Sequence, residues 1–293
     1  MQHFLDIFDI FLLEAVINGI LLGGVLALLA LGLNLIFGVI DVTWICYAEL
    51  VMIGMYGMYY MVQVFGMPYW LAAPFAIMLV AVLGALLHYL VIEPLLTSPP
   101  VNQLLATGGV LFILQSFATV AFGIDFRNLG IRLPVLALGD MNFSYSRLLA
   151  FGAALVGMIA VYLFMTRTFT GTAIRAIAQD RQIMSLMGVD TRRLYIITSA
   201  LGGALAGLAA CLLVLQYDVH PFVGLSFGPI TFLICVLGGL GNFIGGFIAA
   251  FVFAEIISLG GLFSDLEWGY VLAFAFFIVM MFIRPAGLMQ RRS

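Results

Sequence analysis

Long stretches of the chain carry almost no charged side chain, and this feature limits what the chain can fold into. Charge is nearly absent over residues 15–39, 69–92, 148–165 and 270–283. Most of these stretches approach the ~20 apolar residues that cross the hydrocarbon core of a bilayer as a helix. Only 9% of the residues are charged, against about 25% in a typical soluble protein. Because the stretches do not alternate like the strands of a membrane barrel, the sequence predicts an all-α polytopic membrane protein.

About eight spans follow from the apolar stretches, and one of them is too long. They lie near residues 15–37, 47–65, 70–92, 104–123, 148–165, 195–216, 227–261 and 269–283. As one helix, residues 227–261 would measure about 50 Å at ~1.5 Å per residue, which exceeds a ~30 Å hydrocarbon core. We therefore predict a broken or re-entrant helix pair at 227–261.

The break is predicted at a cluster of glycines. Residues 236–246 read VLGGLGNFIGG, which places Gly238, Gly239, Gly241 and Asn242 together in an apolar segment. Glycine inside a helix costs up to about 1 kcal/mol relative to alanine. One explanation is a turn inside the protein that lines a watery cavity. The other is close helix packing through small residues, and both can hold at once.

The basic residues predict the orientation and exclude one kind of site. All eleven are Arg, and eight of them lie in residues 166–194 and at the C-terminus, which places both segments in the cytoplasm and the acidic N-terminus outside. We also expect the polar loop 124–147 outside, although it carries the other three arginines. Without Lys the chain cannot form a Walker A loop. The three Cys and three His are scattered without metal-ligand spacing. We expect no catalytic residue, no metal site, no cofactor and no nucleic-acid partner for this chain.

The segment 166–194 is the longest polar interval on the predicted cytoplasmic side. It predicts one short amphipathic helix over residues 172–187, capped by Thr170 or Thr172 and ended by Gly188. The helix could rest on lipid headgroups. It could equally be a docking helix for a cytoplasmic partner.

Four motifs in order resemble one family along nearly the whole chain. They are TGTAIRAIAQDRQIMSLMGVDTRRL followed by ALGGALAGLAA, the stretch TGGVLFILQ at residues 107–115, VLGGLGNFIGG, and RPAGL at residues 284–288. Together they are similar to permeases of the branched-chain amino-acid (Liv-type) ABC transporters. The resemblance implies one transmembrane permease domain over residues 1–293, with a segment at 166–194 that couples it to an ATPase.

The resemblance also implies partners and coupling residues. It implies a second permease subunit, two cytoplasmic ATPase subunits that bind ATP and Mg, an extracytoplasmic solute-binding protein, and a bacterial inner membrane around the permease. The implied coupling residues are Thr172, Arg175, Ala178, Asp180, Met184 and Gly188.

The chain departs from the family pattern where the second span begins. Family members commonly carry an Asn-Phe-Ala-His-Gly-Glu type stretch, whereas residues 44–49 read WICYAE. Glu49 should face the protein interior or water, since a carboxylate in a span costs ~2.5 to 3.5 kcal/mol on insertion scales. Trp44 and Tyr47 either narrow or reshape the solute pathway or belong to the aromatic belt at the cytoplasmic membrane interface. With Thr107 and the glycine cluster, Trp44, Tyr47 and Glu49 are our predicted pathway residues.

Two functions remain at this stage. The first is the permease subunit of an ATP-driven importer for a small polar or amphiphilic solute, such as a branched-chain amino acid or a related amide or organic acid. The alternative is an autonomous secondary transporter with a coupling-ion site at the broken helix. A carrier of that class usually has several intramembrane carboxylates near the break, and only Glu255 lies close to it.

Overall fold

Helices make up nearly all of the computed structural model, which describes residues 2–131, 134–138, 141–263, 266–285 and 287–289. The elements are α1 (Gln2–Ile40), α2 (Tyr47–Tyr59), α3 (Tyr69–Leu87), α4 (Pro100–Phe122), β1 (Val135–Leu138), β2 (Met141–Ser144), α5 (Tyr145–Arg167), α6 (Phe169–Gln179), α7 (Arg181–Leu186), α8 (Thr191–Leu213), α9 (Val223–Gly238), α10 (Phe243–Phe263) and α11 (Leu266–Ile283). A π-helical turn, Tyr60–Val64, continues α2. A second one, His88–Ile92, and a 3₁₀ turn, Glu93–Leu95, continue α3.

Six of the described helices are long and apolar enough to cross a membrane. They are Phe11–Ile40, Tyr69–Leu95, Pro100–Phe122, Tyr145–Arg167, Thr191–Leu213 and Phe243–Leu262. The apolar helices α9 and α11 are shorter. The prediction of an all-α polytopic membrane protein is confirmed, and residues 227–261 are indeed divided between two helices, α9 and α10.

The two ends of the helix bundle are defined by α5. This helix begins directly after the antiparallel hairpin β1–β2 and ends next to α6, so the two features lie about 35 Å apart at ~1.5 Å per residue. We call these the hairpin end and the α6 end. The last turns of α1 lie at the α6 end, where Leu35 and Gly38 contact the same small cavity as Ile174 of α6.

Helix α1 forms the centre of the bundle. Its side chains from Val25 to Ile36 are almost all buried, and α5, α8, α9 and α10 pack around it. A helix that is apolar on every side is stable only when it is surrounded by protein or lipid. Helix α4 is the opposite case, because most of it is exposed and its buried face carries the polar residues Gln103, Thr107 and Gln115.

The glycine cluster forms the turn between α9 and α10 at the α6 end. Gly239 and Gly241 have φ of 96° and 79°, in the left-handed region that L-residues other than glycine rarely adopt. Asn242 Oδ1 accepts a hydrogen bond from Gly245 N at 3.0 Å and so caps the start of α10. A Cβ on Gly241 would lie 2.9 Å from Gly38 Cα of α1. The cluster therefore serves both as a turn and as a close helix contact.

The segment at the α6 end differs from the single helix that the sequence predicts. The prediction of one helix over residues 172–187 is wrong, because the chain extends at Asp180 (φ −152°) and forms two helices, α6 and α7. Asp180 Oδ1 accepts from Ile183 N at 3.0 Å and caps the second helix. The cap of α6 is Thr168, which has the extended backbone a cap requires and accepts from Gly171 N at 3.0 Å. Gly188, at φ 80°, closes the segment as predicted.

Candidate functional site

A cavity of about 270 Å³ lies between α1, α2, α4 and α9. The loop that joins α1 to α2 and the first turn of α2 supply Trp44, Tyr47 and Glu49 to its wall. Thus three of the predicted pathway residues meet at one place. Tyr47 also donates a hydrogen bond from its hydroxyl to Gly202 O at 3.2 Å, near the midpoint of α8. The cavity is therefore at mid-depth in the bundle.

The loop between α1 and α2 is held in place by backbone conformation and by α4. Asp41 ends α1 with a left-handed backbone (φ 59°), which Asp tolerates better than most residues. Thr107 of α4 donates from Oγ1 to Thr43 O at 3.0 Å. Trp44 donates from Nε1 to Cys46 Sγ at 2.8 Å. Thr107, another predicted pathway residue, thus contacts the cavity loop through a backbone carbonyl.

Trp44 and Tyr47 lie in the protein interior. Each side chain is only 2% exposed. An aromatic belt at the membrane interface would require rings that reach the lipid headgroups, so that alternative does not fit the structure. The two rings instead reduce the width of the cavity.

Glu49 is completely buried, and one of its carboxylate oxygens has a partner. Oε1 accepts from Gln115 Nε2 of α4 at 2.9 Å. Oε2 has no hydrogen-bond partner among the described residues. Gly224 of α9 faces the carboxylate, and a Cβ there would lie 2.5 Å from Oε1. The missing side chain at position 224 therefore leaves room for the carboxylate beside the cavity.

The sequence did not identify Gln115 and Gly224 as site residues. Gln103, Thr107 and Gln115 share the buried face of α4, where an ordinary membrane helix would bury apolar side chains. That polar face was the available signal. On α9, Gly224, Gly228 and Thr231 recur at spacings of four and three residues, which places them on one helix face toward the cavity.

The predicted coupling residues lie at the α6 end, on the surface of the bundle. Helix α6 buries Gly171, Ala173, Ile174 and Ile177 against its neighbours. Its other face exposes Thr172, Arg175 and Ala178, followed by Asp180 and Gly188. Met184 of α7 is half-buried. The exposed part of this set forms a surface that a partner could reach.

The glycine cluster lies beside the coupling segment. Gly241 and Gly38 line a cavity of about 30 Å³ together with Arg175 and Ala178. Gly238 packs against Gly246, and a Cβ on Gly287 would lie 2.8 Å from Gly239 N. The structure therefore places Gly238, Gly239, Gly241 and Asn242 at the α6 end, away from the cavity that Glu49 contacts.

A second cavity, of about 460 Å³, lies at the hairpin end. Asp218 and His220 of the loop between α8 and α9 contribute its titratable acid and imidazole groups, and Asp218 accepts from Asn128 Nδ2 at 2.7 Å. Burial lowers the pKa of His220, and the nearby Asp218 carboxylate opposes that shift. Leu225 and Pro229 of α9 line both this cavity and the Glu49 cavity. The two cavities are therefore neighbours.

Comparisons with known proteins agree over nearly the whole chain. The model of the family described as branched-chain amino acid transport system / permease component matches residues 15–281. The high-affinity branched-chain amino acid transport system permease protein LivH of Escherichia coli (strain K12) is 28% identical to this chain. The alignment, 301 residues long with its gaps, covers 96% of each chain. The corresponding protein BraD of Pseudomonas aeruginosa is 28% identical over 295 residues, which cover 95% of this chain and 96% of BraD.

One solved structure supports the fold alone. The structure of PsaBC from Streptococcus pneumoniae in complex with Fab matches with a TM-score of 0.52 at 13% identity, over 92% of this chain and 91% of the other. The family model, by contrast, matches most of the sequence. This chain belongs to the family of branched-chain amino acid transport system permease components.

Proposed function

We propose that this chain is the membrane-spanning permease subunit of an ATP-driven importer. Its solute is small and amphiphilic, a branched-chain amino acid or a related compound. The observation that carries the proposal is the buried cavity at mid-depth, with one carboxylate in a largely apolar wall. Its LivH and BraD relatives are named as permease proteins of branched-chain amino acid transport systems.

The energy for transport comes from partner subunits in this proposal. Two ATPase chains bind ATP and Mg and dock on the exposed face of α6 around Thr172 and Arg175. A second permease subunit completes the pathway, and a solute-binding protein delivers the solute at the hairpin end. The whole chain forms one permease domain, since α1 packs against helices from both halves of the sequence. The chain itself performs no catalysis.

The arginine distribution supports a cytoplasmic α6 end. Arg175, Arg192 and Arg284 lie at that end, whereas Arg291 and Arg292 lie outside the described residues. α1 runs from the hairpin end to the α6 end. So does α11, after which Leu288 N donates to Leu237 O beside the glycine turn. With a cytoplasmic α6 end, the N-terminus is outside and the C-terminus inside.

Purification from the native membrane in mild detergent tests the proposal. We expect mass spectrometry to find a second permease chain and ATPase chains with a Walker A motif in the purified complex. Proteoliposomes containing that complex should take up solute only when ATP is present on the side of the membrane that carries the ATPase chains. Recovery of this chain alone, with ATP-independent uptake, would favour the secondary transporter instead.

A further inference from the structure

One carboxylate oxygen in the Glu49 cavity has no hydrogen-bond donor among the described residues. Glu49 Oε2 is buried and has no partner among the described residues, while Oε1 is already held by Gln115. An ionised carboxylate has only acceptor sites. A buried carboxylate without a counter-charge is unfavourable in a membrane segment. A group that keeps the carboxylate ionised must therefore bring an N–H or O–H donor to Oε2, and a positively charged donor stabilises the ionised form most.

Two further polar side chains of the cavity, those of Trp44 and Thr231, are already engaged within the protein. Trp44 directs its Nε1–H to Cys46 Sγ. Thr231 donates from Oγ1 to Phe227 O at 2.7 Å. The described residues that line the cavity include no Arg, Lys or His. The described wall therefore offers an anionic group no positively charged side chain, although the first turn of α9, at Gly224 and Leu225, carries the partial positive charge of a helix N-terminus.

The remainder of the wall is apolar. Leu33, Leu104, Leu111 and Phe232 contribute side chains from three different helices. At about 270 Å³ the cavity is slightly smaller than the ~300–1,000 Å³ of ordinary ligand pockets. Its size and lining fit a solute with a short aliphatic body and one cationic end.

We propose that Glu49 Oε2 binds the ammonium group of the transported solute, whose aliphatic body lies against Leu33, Leu104, Leu111 and Phe232. This inference rests on the proposed function and narrows its substrate class. It selects amines and amino acids over organic acids that have no amino group. Gln115 is a positioning residue, since it fixes Oε1 and directs Oε2 to the cavity.

Competition binding on the purified complex, without the solute-binding protein, tests the inference. The probe is tritiated L-leucine, and the competitors are isopentylamine, 4-methylpentanoate and 4-methylpentanamide, which share its aliphatic body. Isopentylamine should displace leucine, whereas the acid and the neutral amide should not. Displacement by the acid would overturn the inference. Equal displacement by the amide and the amine would overturn the requirement for a positive charge.

The variant Glu49→Gln keeps the side-chain shape and removes the charge. We expect it to weaken leucine binding about 10- to 100-fold, the range for a hydrogen bond to a charged group. It should also abolish the preference for isopentylamine over 4-methylpentanamide, which a purely structural role would leave unchanged. The matched control is Glu255→Gln, because Glu255 is a carboxylate of α10 that does not contact the cavity. That variant should bind leucine as the unmodified complex does.

The same preparations separate failure of this inference from failure of the proposed function. Co-purified ATPase chains and their ATP hydrolysis report on the proposed function. If both are present while Glu49→Gln binds leucine normally, only the ammonium site is wrong. Absence of binding of both leucine and isopentylamine to the unmodified complex, up to millimolar concentrations, would also overturn the ammonium site.

Discussion

Replacing Gly241 with alanine should destabilise the protein by two separable effects. The first is backbone strain, since Gly241 has φ of 79°, and a left-handed backbone costs an L-residue roughly 1–2 kcal/mol. The second is steric, because the new Cβ would lie 2.9 Å from Gly38 Cα in α1. Overpacking of this kind costs about 1–3 kcal/mol. The sum predicts a loss of roughly 2–5 kcal/mol for Gly241→Ala.

Gly66→Ala is the matched control for strain. Gly66 has φ of 66°, in the same backbone region, and a Cβ there would have nothing within 4 Å. This variant should lose only the strain, roughly 1–2 kcal/mol. The difference between the two variants therefore measures the contact between the glycine turn and α1.

The assay is the midpoint of thermal aggregation of the detergent-solubilised complex, at one heating rate because such unfolding is often irreversible. We expect Gly241→Ala to lower the midpoint at least about 1.5 times as far as Gly66→Ala. Gly38→Ala places a Cβ on the other side of the contact, 3.0 Å from Gly241 Cα, without the backbone strain. It should therefore lower the midpoint less than Gly241→Ala does. Equal midpoints for the Gly241 and Gly66 variants would refute the close contact between the turn and α1.

Three further changes test other parts of the structure. Arg175 lies on the exposed face of α6. Arg175→Glu should remove the ATPase chains from the purified complex or abolish ATP-dependent uptake, while membrane insertion stays normal. Normal uptake by this variant would count against the coupling assignment. Thr107→Val removes the hydrogen bond to the cavity loop, worth about 1 kcal/mol, and should weaken leucine binding several-fold. The control is Thr166→Val, because the Thr166 hydroxyl donates only within α5; this variant should bind leucine normally. Burial lowers the pKa of His220 in the folded protein, so the unfolded chain binds the proton first as the pH drops through the ordinary value of about 6.5. Thermal stability should therefore fall as the pH drops through that value. His220→Gln should reduce the slope, and an unchanged slope would contradict this account.

Local patterns predicted the helices well. The apolar stretches predicted all six described helices that are long and apolar enough to cross a membrane, whereas the predicted span 47–65 is not among them. The excess length of residues 227–261 predicted the break between α9 and α10. The prediction failed at Asp180, where the 3.6-residue period continued but the side chain caps a new helix. A residue that can cap a helix competes with the helix through its own hydrogen bond to the backbone, and periodicity alone does not detect that competition.

The candidate site was predicted only in part, because its completion depends on distant contacts. Glu49 was found because a carboxylate is costly in a span, and Trp44 and Tyr47 because they depart from the family pattern there. The pairing of Glu49 with Gln115 joins residues 66 positions apart, and the space opposite the carboxylate comes from Gly224 of a third helix. Both depend on how α2, α4 and α9 pack together. The same is true of the glycine cluster, whose place beside α6 follows from its packing on α1.

Helix α1 connects the two functional regions of the molecule. Its residue Gly38 packs against the glycine turn and borders the small cavity that Arg175 also lines. Leu33, five positions earlier and about 7.5 Å along the helix axis, lines the cavity that Glu49 contacts. Energetic coupling between two sites is carried by packed side chains and rigid helices with two discrete arrangements. Because α1 contacts both regions and is almost entirely buried between Val25 and Ile36, a displacement that begins at α6 cannot move the end of α1 without changing the wall against which we place the aliphatic body of the solute.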